Sequence, residues 1–118
     1  MSVTSSQFGL LAKLLDVASL RHQVIAQNVA NVNTPGYRRL EVSFESALAE
    51  KLGDGEAGVA TLVPSVAEGS GGTMRDDGNN VDIDAEMGRL NKNAVLFNVY
   101  AQILATKIGA MRSAIAGR

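Results

Sequence analysis

The sequence has no cysteine, no tryptophan, a single histidine and two prolines among its 118 residues, and aromatic residues make up only 4% of it. The absence of cysteine excludes disulfides and thiolate metal sites. The one histidine, His22, cannot form a catalytic dyad alone, and its nearest acidic neighbour along the predicted helix, Asp16, lies more than one turn away. We therefore predict a protein that is not an enzyme and that uses no cofactor, no metal and no small-molecule substrate.

An excess of charge is also absent, because 11 basic residues are matched by 12 acidic ones and the net charge is -1. A balanced chain has no general attraction for polyanions, so nucleic acid is not an expected partner. The first apolar run, "FGLLAKLLDVASL", is interrupted by Lys13 and Asp16, so we expect neither a cleavable signal peptide nor a membrane span there. If the protein leaves the cytoplasm, we expect an export route that cleaves nothing from it.

Two short motifs resemble ligand sites but fail in detail. "GSGGT" has no lysine at the position that a phosphate-binding loop requires, so a flexible linker explains it. "DDGNNVDIDAE" resembles a calcium loop, but with Gly78 as its sixth position, Thr73 and Arg75 occupy places that need carboxylates. Helix capping after a turn accounts for the same acidic residues.

The last third of the chain carries a long amphipathic pattern. Ten apolar positions alternate spacings of four and three residues, a 3.5-residue period typical of a coiled-coil helix. Asp82 is placed to cap the helix, and acidic residues at its start and basic residues toward its end complement the helix dipole. We predict a helix over residues 82–116. We call its ten apolar positions the packing seam: Ile83, Met87, Leu90, Ala94, Phe97, Ala101, Leu104, Ile108, Met111 and Ile115.

This helix would be roughly 50 Å long at 1.5 Å per residue, too long for the rest of the chain to cover. Leu96, Val99 and Ile103 are apolar as well, although they lie away from the packing seam. A helix that is apolar on two sides is buried on two sides. We therefore expect its missing neighbours to be other chains.

A second, less strict pattern predicts an N-terminal helix over residues 6–31. Five of its seven stripe positions are apolar, and Arg21 and Asn28 are the exceptions. We predict a mostly α fold in which the two long terminal helices pair antiparallel in a coiled-coil-like hairpin. The seven stripe positions are 11, 14, 18, 21, 25, 28 and 32.

The middle of the chain has a different character. "RRLEVSFE" alternates Leu40, Val42 and Phe44 with polar residues, which predicts a short extended arm. "SFESALAEKL" has apolar residues at helical spacing and predicts a short third helix that ends at Gly53. In the flexible glycine-rich segment that follows, we expect only a short strand near residues 59–63. The three predicted regions of this single domain are 1–37 (core helix and turn), 38–81 (arm, short helix and loop) and 82–118 (core helix).

The N-terminal helix is expected to stop at Thr34-Pro35-Gly36. Pro35 lacks the N–H that a continuing helix would use, and it biases Thr34 away from helical angles. Pro-Gly suits the centre of a type II turn with Gly36 at positive φ. Asn31, Asn33 and Thr34 supply short polar side chains that can satisfy carbonyls at the helix end, and the sequence leaves open which of them does so.

The stretch "NVANVNTPGYRR" resembles the N-terminal signature of the bacterial flagellar axial proteins, which comprise rod, hook and hook-associated proteins. A second block, "DGNNVDIDAEM" at residues 77–87, and the closing "KIGAMRSAI" resemble the FlgB type of flagellar basal-body rod protein. With their helices the blocks cover most of the chain outside residues 53–76, where it looks short for the type. The expected assembly motif in the first block is Asn28, Ala30, Asn31, Thr34, Pro35, Gly36 and Tyr37.

The resemblance implies a structural subunit of the proximal rod, exported unfolded and uncleaved through the flagellar type III apparatus to the periplasmic rod. It also implies partners: copies of the chain, other proximal rod proteins, the small adaptor at the rod base, the membrane ring and the export gate. In that setting we expect the turn to aim the extended arm outward, onto a neighbouring subunit.

Two other interpretations stay open at this point. A different rod or hook component would share the first motif, and the second block is the reason to prefer the proximal type. A soluble helical-hairpin adaptor, which binds a partner helix in a groove, would show the same helices without forming a polymer.

Overall fold

The computed structural model of the protein describes the backbone of residues 3–117 and the side chains of residues 7–53 and 58–117. The predicted mostly α fold, with a long helix at each end, is confirmed. The molecule is elongated, with extents of 64 × 28 × 15 Å. Its elements are α1 (Val3–Ala30), β1 (Leu40–Ser43), α2 (Glu45–Lys51), a 3-10 turn (Leu52–Asp54), α3 (Gly55–Ala60), β2 (Ser65–Glu68) and α4 (Ile83–Ile115).

The helices α1 and α4 lie side by side and run in opposite directions. The side-chain Nδ2 of Asn93 donates to the carbonyl of Ala18 at 2.7 Å, and further along α4 the ammonium of Lys107 donates to Gln7. Residue numbers therefore rise on one helix as they fall on the other. All seven stripe positions of α1 are buried or half-buried: Leu11, Leu14, Ala18, Arg21, Ile25, Asn28 and Val32.

The apolar core lies where α1 meets the arm. Val17 and Val24 of α1 pack with Val42, Phe44 and Leu62, and Phe44 has no exposed surface. Alternate residues of an extended segment point to one side, so Val42 and Phe44 both reach α1. Burying a side chain of this size contributes about 1.5 to 3 kcal/mol. The expectation that the arm points outward is therefore wrong, because it folds back onto its own helix.

Arg21, one of the two polar exceptions in the α1 stripe, holds this arm against α1. Its guanidinium donates to both carboxylate oxygens of Glu45, at 2.7 and 2.9 Å, and to the carbonyl of Val42 at 3.1 Å. The hydrogen bond from Arg21, with its charge, lowers the pKa of Glu45 below its ordinary value, against an opposing effect of burial. The polar residue that interrupts the apolar stripe of α1 therefore has a structural role, because it holds the arm against the helix.

We expect Glu45→Gln to lower the free energy of unfolding at pH 7 by less than about 1 kcal/mol, because the pair is partly solvated. A lowered carboxyl pKa contributes stability that is complete above the ordinary value, 4.5, and is lost as the pH falls through the folded-state value. The difference from the parent protein should therefore shrink with acidification, as followed by urea unfolding. Glu50→Gln, an exposed change on the same helix, is the control, and a difference that grew in acid would contradict the assignment.

The segment after α2 is more regular than the sequence indicated. The strand predicted near residues 59–63 is wrong: α3 extends to Ala60, and Leu62 is buried in the core. The strand is β2, which pairs antiparallel with β1 in the register Leu40 opposite Glu68. A short apolar run fits a helix or a strand equally well by periodicity, and here the unpaired edge of β1 decides where the strand forms.

The helix α4 is poorly covered by the rest of the chain. Its buried residues are Glu86 and Asn93, both polar, whereas apolar side chains such as Val95 and Ile103 are 61% and 41% exposed. By length and composition, α4 is the one helix within residues 3–117 that could also cross a membrane. A helix with exposed apolar side chains on more than one side needs cover from another molecule.

Candidate functional site: a junction between two sequence motifs

The turn after α1 has the predicted geometry. The amide of Tyr37 donates to the carbonyl of Thr34 at 3.2 Å, and Gly36 has φ of 76°, as position three of a type II turn requires. The amide of Gly36 also donates to the carbonyl of Asp77 at 2.8 Å. This contact brings the second sequence motif against the first.

Only part of the predicted helix-end capping is local. Asn31 donates through its side chain to the carbonyl of Gln27 at 2.8 Å, and the Thr34 hydroxyl donates to Asn31 Oδ1 at 3.0 Å. Asn33, which was equally eligible by sequence, is exposed. The backbone amides of Asn31 and Val32 donate to carbonyls of the last turn of α1, so donors from farther along the chain serve the turn that follows the helix.

Asn79, which lies shortly before α4, supplies donors to the turn after α1. Its Nδ2 lies 2.9 Å from the carbonyl of Asn31, 3.2 Å from that of Val32 and 2.9 Å from that of Thr34. An amide nitrogen has two hydrogens, so they are shared among three acceptors. Asn79 is fully buried, and its Oδ1 accepts the amide of Val81 at 2.8 Å. One side chain thus holds the turn after α1 and positions the start of α4.

A buried ionic cluster lies beside this cap. Glu86 of α4 is completely buried and accepts from Arg39 Nε at 2.7 Å, Arg89 Nη1 at 2.7 Å and Asn28 Nδ2 at 3.1 Å. Arg39 is 2% exposed and donates further to Glu41 at 3.1 Å. The desolvation of these charges is tolerable only because each has several partners. We call the four side chains of Asn28, Arg39, Glu86 and Arg89 the ionic cluster.

Both motifs contribute to this cluster through hydrogen bonds to the backbone. Asn28 accepts the amide of Leu40 at 2.9 Å and donates to its carbonyl at 2.9 Å, which fixes the arm to α1. Tyr37 donates its hydroxyl to Asn28 Oδ1 at 2.8 Å, and Asn80 Oδ1 accepts the amide of Arg39 at 2.7 Å. Asn28, the second polar exception in the α1 stripe, therefore connects α1, the arm and α4.

The surroundings of the cluster keep its groups in the protonation states that these bonds need. Burial alone lowers the pKa of Arg39, but hydrogen bonds to Glu86 and Glu41, with their charges, outweigh it and raise the pKa. Burial and the charge of Glu86 raise the pKa of Tyr37, against a smaller opposing effect of Arg39. At neutral pH, Arg39 is therefore a cation and the Tyr37 hydroxyl a donor.

Two glycines cover the cluster from outside. A Cβ at Gly69 would lie 2.4 Å from Arg39 Nη1, and one at Gly71 would lie 2.6 Å from Asn80 Nδ2. Real Cβ atoms do not approach this closely, so larger residues here would displace the arginine or the asparagine. The glycine-rich segment thus packs closely over the buried charge.

The predicted cap of α4 is confirmed. Asp82 has extended backbone angles, and its carboxylate accepts the amides of Asp84 at 3.0 Å and Ala85 at 3.3 Å. The helix begins at the next residue, Ile83. This places Glu86 one turn into α4, opposite Asn28.

Sequence reasoning found one half of this junction and missed the other. The assembly motif residues lie at its centre or edge, but Arg39, Asn79, Asn80 and Glu86 were not singled out. One feature of the sequence could have indicated the missing half. Asn28 is a polar residue in an apolar stripe, and a buried amide needs a partner. The cluster is saturated by its own groups, and among the side chains of residues 7–53 and 58–117 no three of His, Asp or Glu could hold a metal ion.

The comparisons place this chain, with its two long terminal helices joined through an interlocked turn, in the flagellar rod class. The model of the family described as flagella basal body rod protein matches residues 16–38, which span the second half of α1 and the turn. The chain is 33% identical over 124 residues to the flagellar basal body rod protein FlgB of Borrelia hermsii, covering 89% of this chain and 92% of that protein.

Two further relatives extend the match. The FlgB protein of Bacillus subtilis is 27% identical over 99% of this chain and 98% of its own length. The one of Salmonella typhimurium is 26% identical over 87% of this chain and 88% of its own length. The chain belongs to the FlgB family of flagellar basal body rod proteins, and it is a structural component of the flagellum rather than an enzyme.

Proposed function

We propose that this chain is a subunit of the proximal rod, the part of the flagellar drive shaft nearest the membrane. It is exported without cleavage, joins the periplasmic rod and contacts copies of itself and other proximal rod proteins. The rod-base adaptor, the membrane ring and the export gate are its further neighbours. The observation that carries the proposal is the uncovered apolar surface of α4, which extends along most of its 33 residues.

The packing seam supplies the interface in this proposal. None of its ten residues is buried within the chain, and seven of them are exposed, including Met87 at 43% and Ile115 at 82%. The intramolecular side of α4 is instead centred on Glu86 and Asn93, and the seam lies beside it. Each leucine-sized side chain buried against a neighbour contributes roughly 2 kcal/mol. Coiled-coil-like pairing across the seam would therefore stabilise an array of subunits.

Deleting the gene tests the proposal. We expect the deletion to abolish motility and to stop assembly before a rod forms, and the parent gene supplied in trans to restore both. The purified protein mixed with rod partners should give ordered assemblies in sedimentation and electron microscopy. Small complexes of fixed size would support a soluble adaptor instead, and a motile deletion strain would contradict a role in the rod.

The turn at the assembly motif acts as the joint of this subunit. We expect Gly36→Val, and to a smaller extent Pro35→Ala, to leave the protein produced but to impair rod assembly and motility. A β-branched residue at φ of 76° costs on the order of 1 to 3 kcal/mol, while nothing lies within 4 Å of a Cβ built there.

Since only the backbone angle opposes a side chain at this position, Gly36→Asn is the matched control. Asparagine tolerates the left-handed region, so this variant should swim almost normally in a soft-agar assay. Normal motility of the valine variant would show that the joint is not needed. Equal loss in both variants would show that the glycine matters for some reason other than its φ.

A further inference from the structure

An open groove of about 490 Å³ lies between α1, β1 and α4. Its walls carry cationic side chains from two elements, Arg21 on α1 and both Arg89 and Lys92 on α4. Its floor includes the apolar side chain of Leu96 and the ring of Tyr100. We call this feature the cationic groove.

The charges around the cationic groove do not balance. Arg21 pairs with Glu45, and Arg39 and Arg89 share the carboxylates of Glu86 and Glu41. Lys92 is the remaining cation of the groove. It is exposed and makes no hydrogen bond or ion pair to any side chain that the structure describes. The groove therefore has an apolar floor and a surplus of one positive charge.

A second unpaired polar group lines the same groove. Asn93 is 3% exposed, and while its Nδ2 donates to Ala18, its Oδ1 has no hydrogen-bond partner among the described residues. A buried acceptor left unpaired costs about 1 to 3 kcal/mol. The surplus charge of Lys92 beside apolar side chains suits a partner surface that combines a negative charge with apolar side chains.

The complementary surface lies at the start of α4. Asp84 is exposed and its carboxylate has no partner within the described part of the chain, while Ile83 and Met87 beside it are 46% and 43% exposed. These three residues combine one negative charge with two apolar side chains. We call them the acidic tip.

The acidic tip cannot reach the groove of its own chain. Asp84 and Lys92 are eight residues apart on one continuous helix, so the helix holds them roughly 12 Å apart along its axis. At 100° per residue, Ile83 and Met87 also lie on a different side of α4 from Leu96. Any contact between the two surfaces must therefore join two molecules.

We propose that the acidic tip of one copy docks in the cationic groove of the next copy, with Asp84 paired to Lys92 and Ile83 against Leu96 and Tyr100. This contact rests on the proposed function and names the partner of one face of the subunit. The two surfaces differ, so each copy uses its tip toward one neighbour and its groove toward another. A contact of this head-to-tail kind does not close on itself and generates an open array.

Charge exchange between the two surfaces tests the contact. Lys92→Glu and Asp84→Lys are each made in the full chain, alone and together, and supplied to a deletion strain. Each single variant should lower the yield of assembled rods on the order of tenfold, because like charges then face each other. The double variant restores opposite charges across the contact and should recover most of the yield. Arg112→Glu, an exposed change far from the groove on the same helix, is the control for a loss of positive charge.

Cross-linking gives a readout that does not depend on motility. The chain has no cysteine, so Asp84→Cys and Lys92→Cys introduced together provide the only thiols. In isolated basal bodies, a short bismaleimide should join these chains into a ladder of dimers, trimers and larger species. The two single variants mixed in one strain should give dimers only, and each single variant alone should give none.

Three outcomes overturn the contact. The first is normal rod yield in both single charge variants, and the second is failure of the double variant to recover. The third is a cross-link from Lys92→Cys to a different protein, which would assign the groove to the acidic segment of another partner. In each case the proposed rod function stands as long as the deletion still abolishes rod assembly, so the two failures are distinguishable.

Discussion

The variant Glu86→Ala is expected to lose about 3 to 5 kcal/mol of unfolding free energy. The substitution leaves Arg39 buried at 2% exposure without its main anion and also removes the partner of Arg89 and Asn28. Breaking a buried pair on one side has this cost because an uncompensated charge remains in a low-dielectric site. A small domain is stable by only about 5 to 15 kcal/mol, so much of its stability would be gone.

Urea unfolding of the purified chain, followed by circular dichroism, measures this effect. Glu50→Ala, an exposed glutamate on α2, is the matched control and should change stability by less than about 0.5 kcal/mol. A combined Arg39→Met, Glu86→Leu variant removes both charges and should recover part of the loss. If Glu86→Ala were as stable as the control, the ionic cluster would not be a stabilising element of the free subunit.

The second large effect is expected for Asn79→Asp, which changes one nitrogen to oxygen. The substitution replaces a donor that serves three carbonyls of the turn after α1 with a carboxylate that repels them. Each carbonyl keeps one other donor, so the loss comes mainly from a carboxylate buried without a partner, and a negative charge near a helix C-terminus adds about 0.3 to 1 kcal/mol. We expect a total loss of about 3 kcal/mol at pH 7, with fraying of the last turn of α1.

Amide hydrogen exchange over residues 26–37 and urea unfolding provide the measurements for this variant. Asn33→Asp, in the same turn but exposed, is the control and should be nearly neutral. Acidification protonates the new carboxyl group, which restores one O–H donor, so the loss should become smaller at low pH. A loss that did not depend on pH, or that equalled the control, would show that Asn79 does not stabilise the turn after α1.

The parts of the fold that sequence reasoning anticipated are those set by neighbours along the chain. Asp82 caps α4 because its carboxylate reaches amides two and three residues away, and Gly36 takes the positive φ that the third position of a type II turn requires, with Pro35 at the second. The periodicity of apolar residues predicted both long helices to within a few residues of their ends. Such features depend on intrinsic backbone and side-chain geometry, which the sequence states directly.

Sequence reasoning predicted only the half of the candidate site that lies at the turn after α1. Asn28 contacts Glu86 across 58 residues, and Arg39 contacts the same glutamate across 47. From the sequence alone, a polar side chain is interpreted as a solvated surface group unless its partner is known. The direction of the arm was wrong for a related reason, since an alternating strand has an apolar side but does not say which surface will cover it.

By itself the sequence determined the two terminal helices, the cap of α4, the type II turn and, through two short motifs, membership of the flagellar rod class. The tertiary structure alone decided that those two motifs meet, that the arm folds back onto α1 and that a buried ionic cluster joins the helices. It also decided which face of α4 stays uncovered. The physical reason is range: helix periodicity, capping and turn geometry act over a few residues, whereas burial and charge pairing depend on which distant surfaces come together.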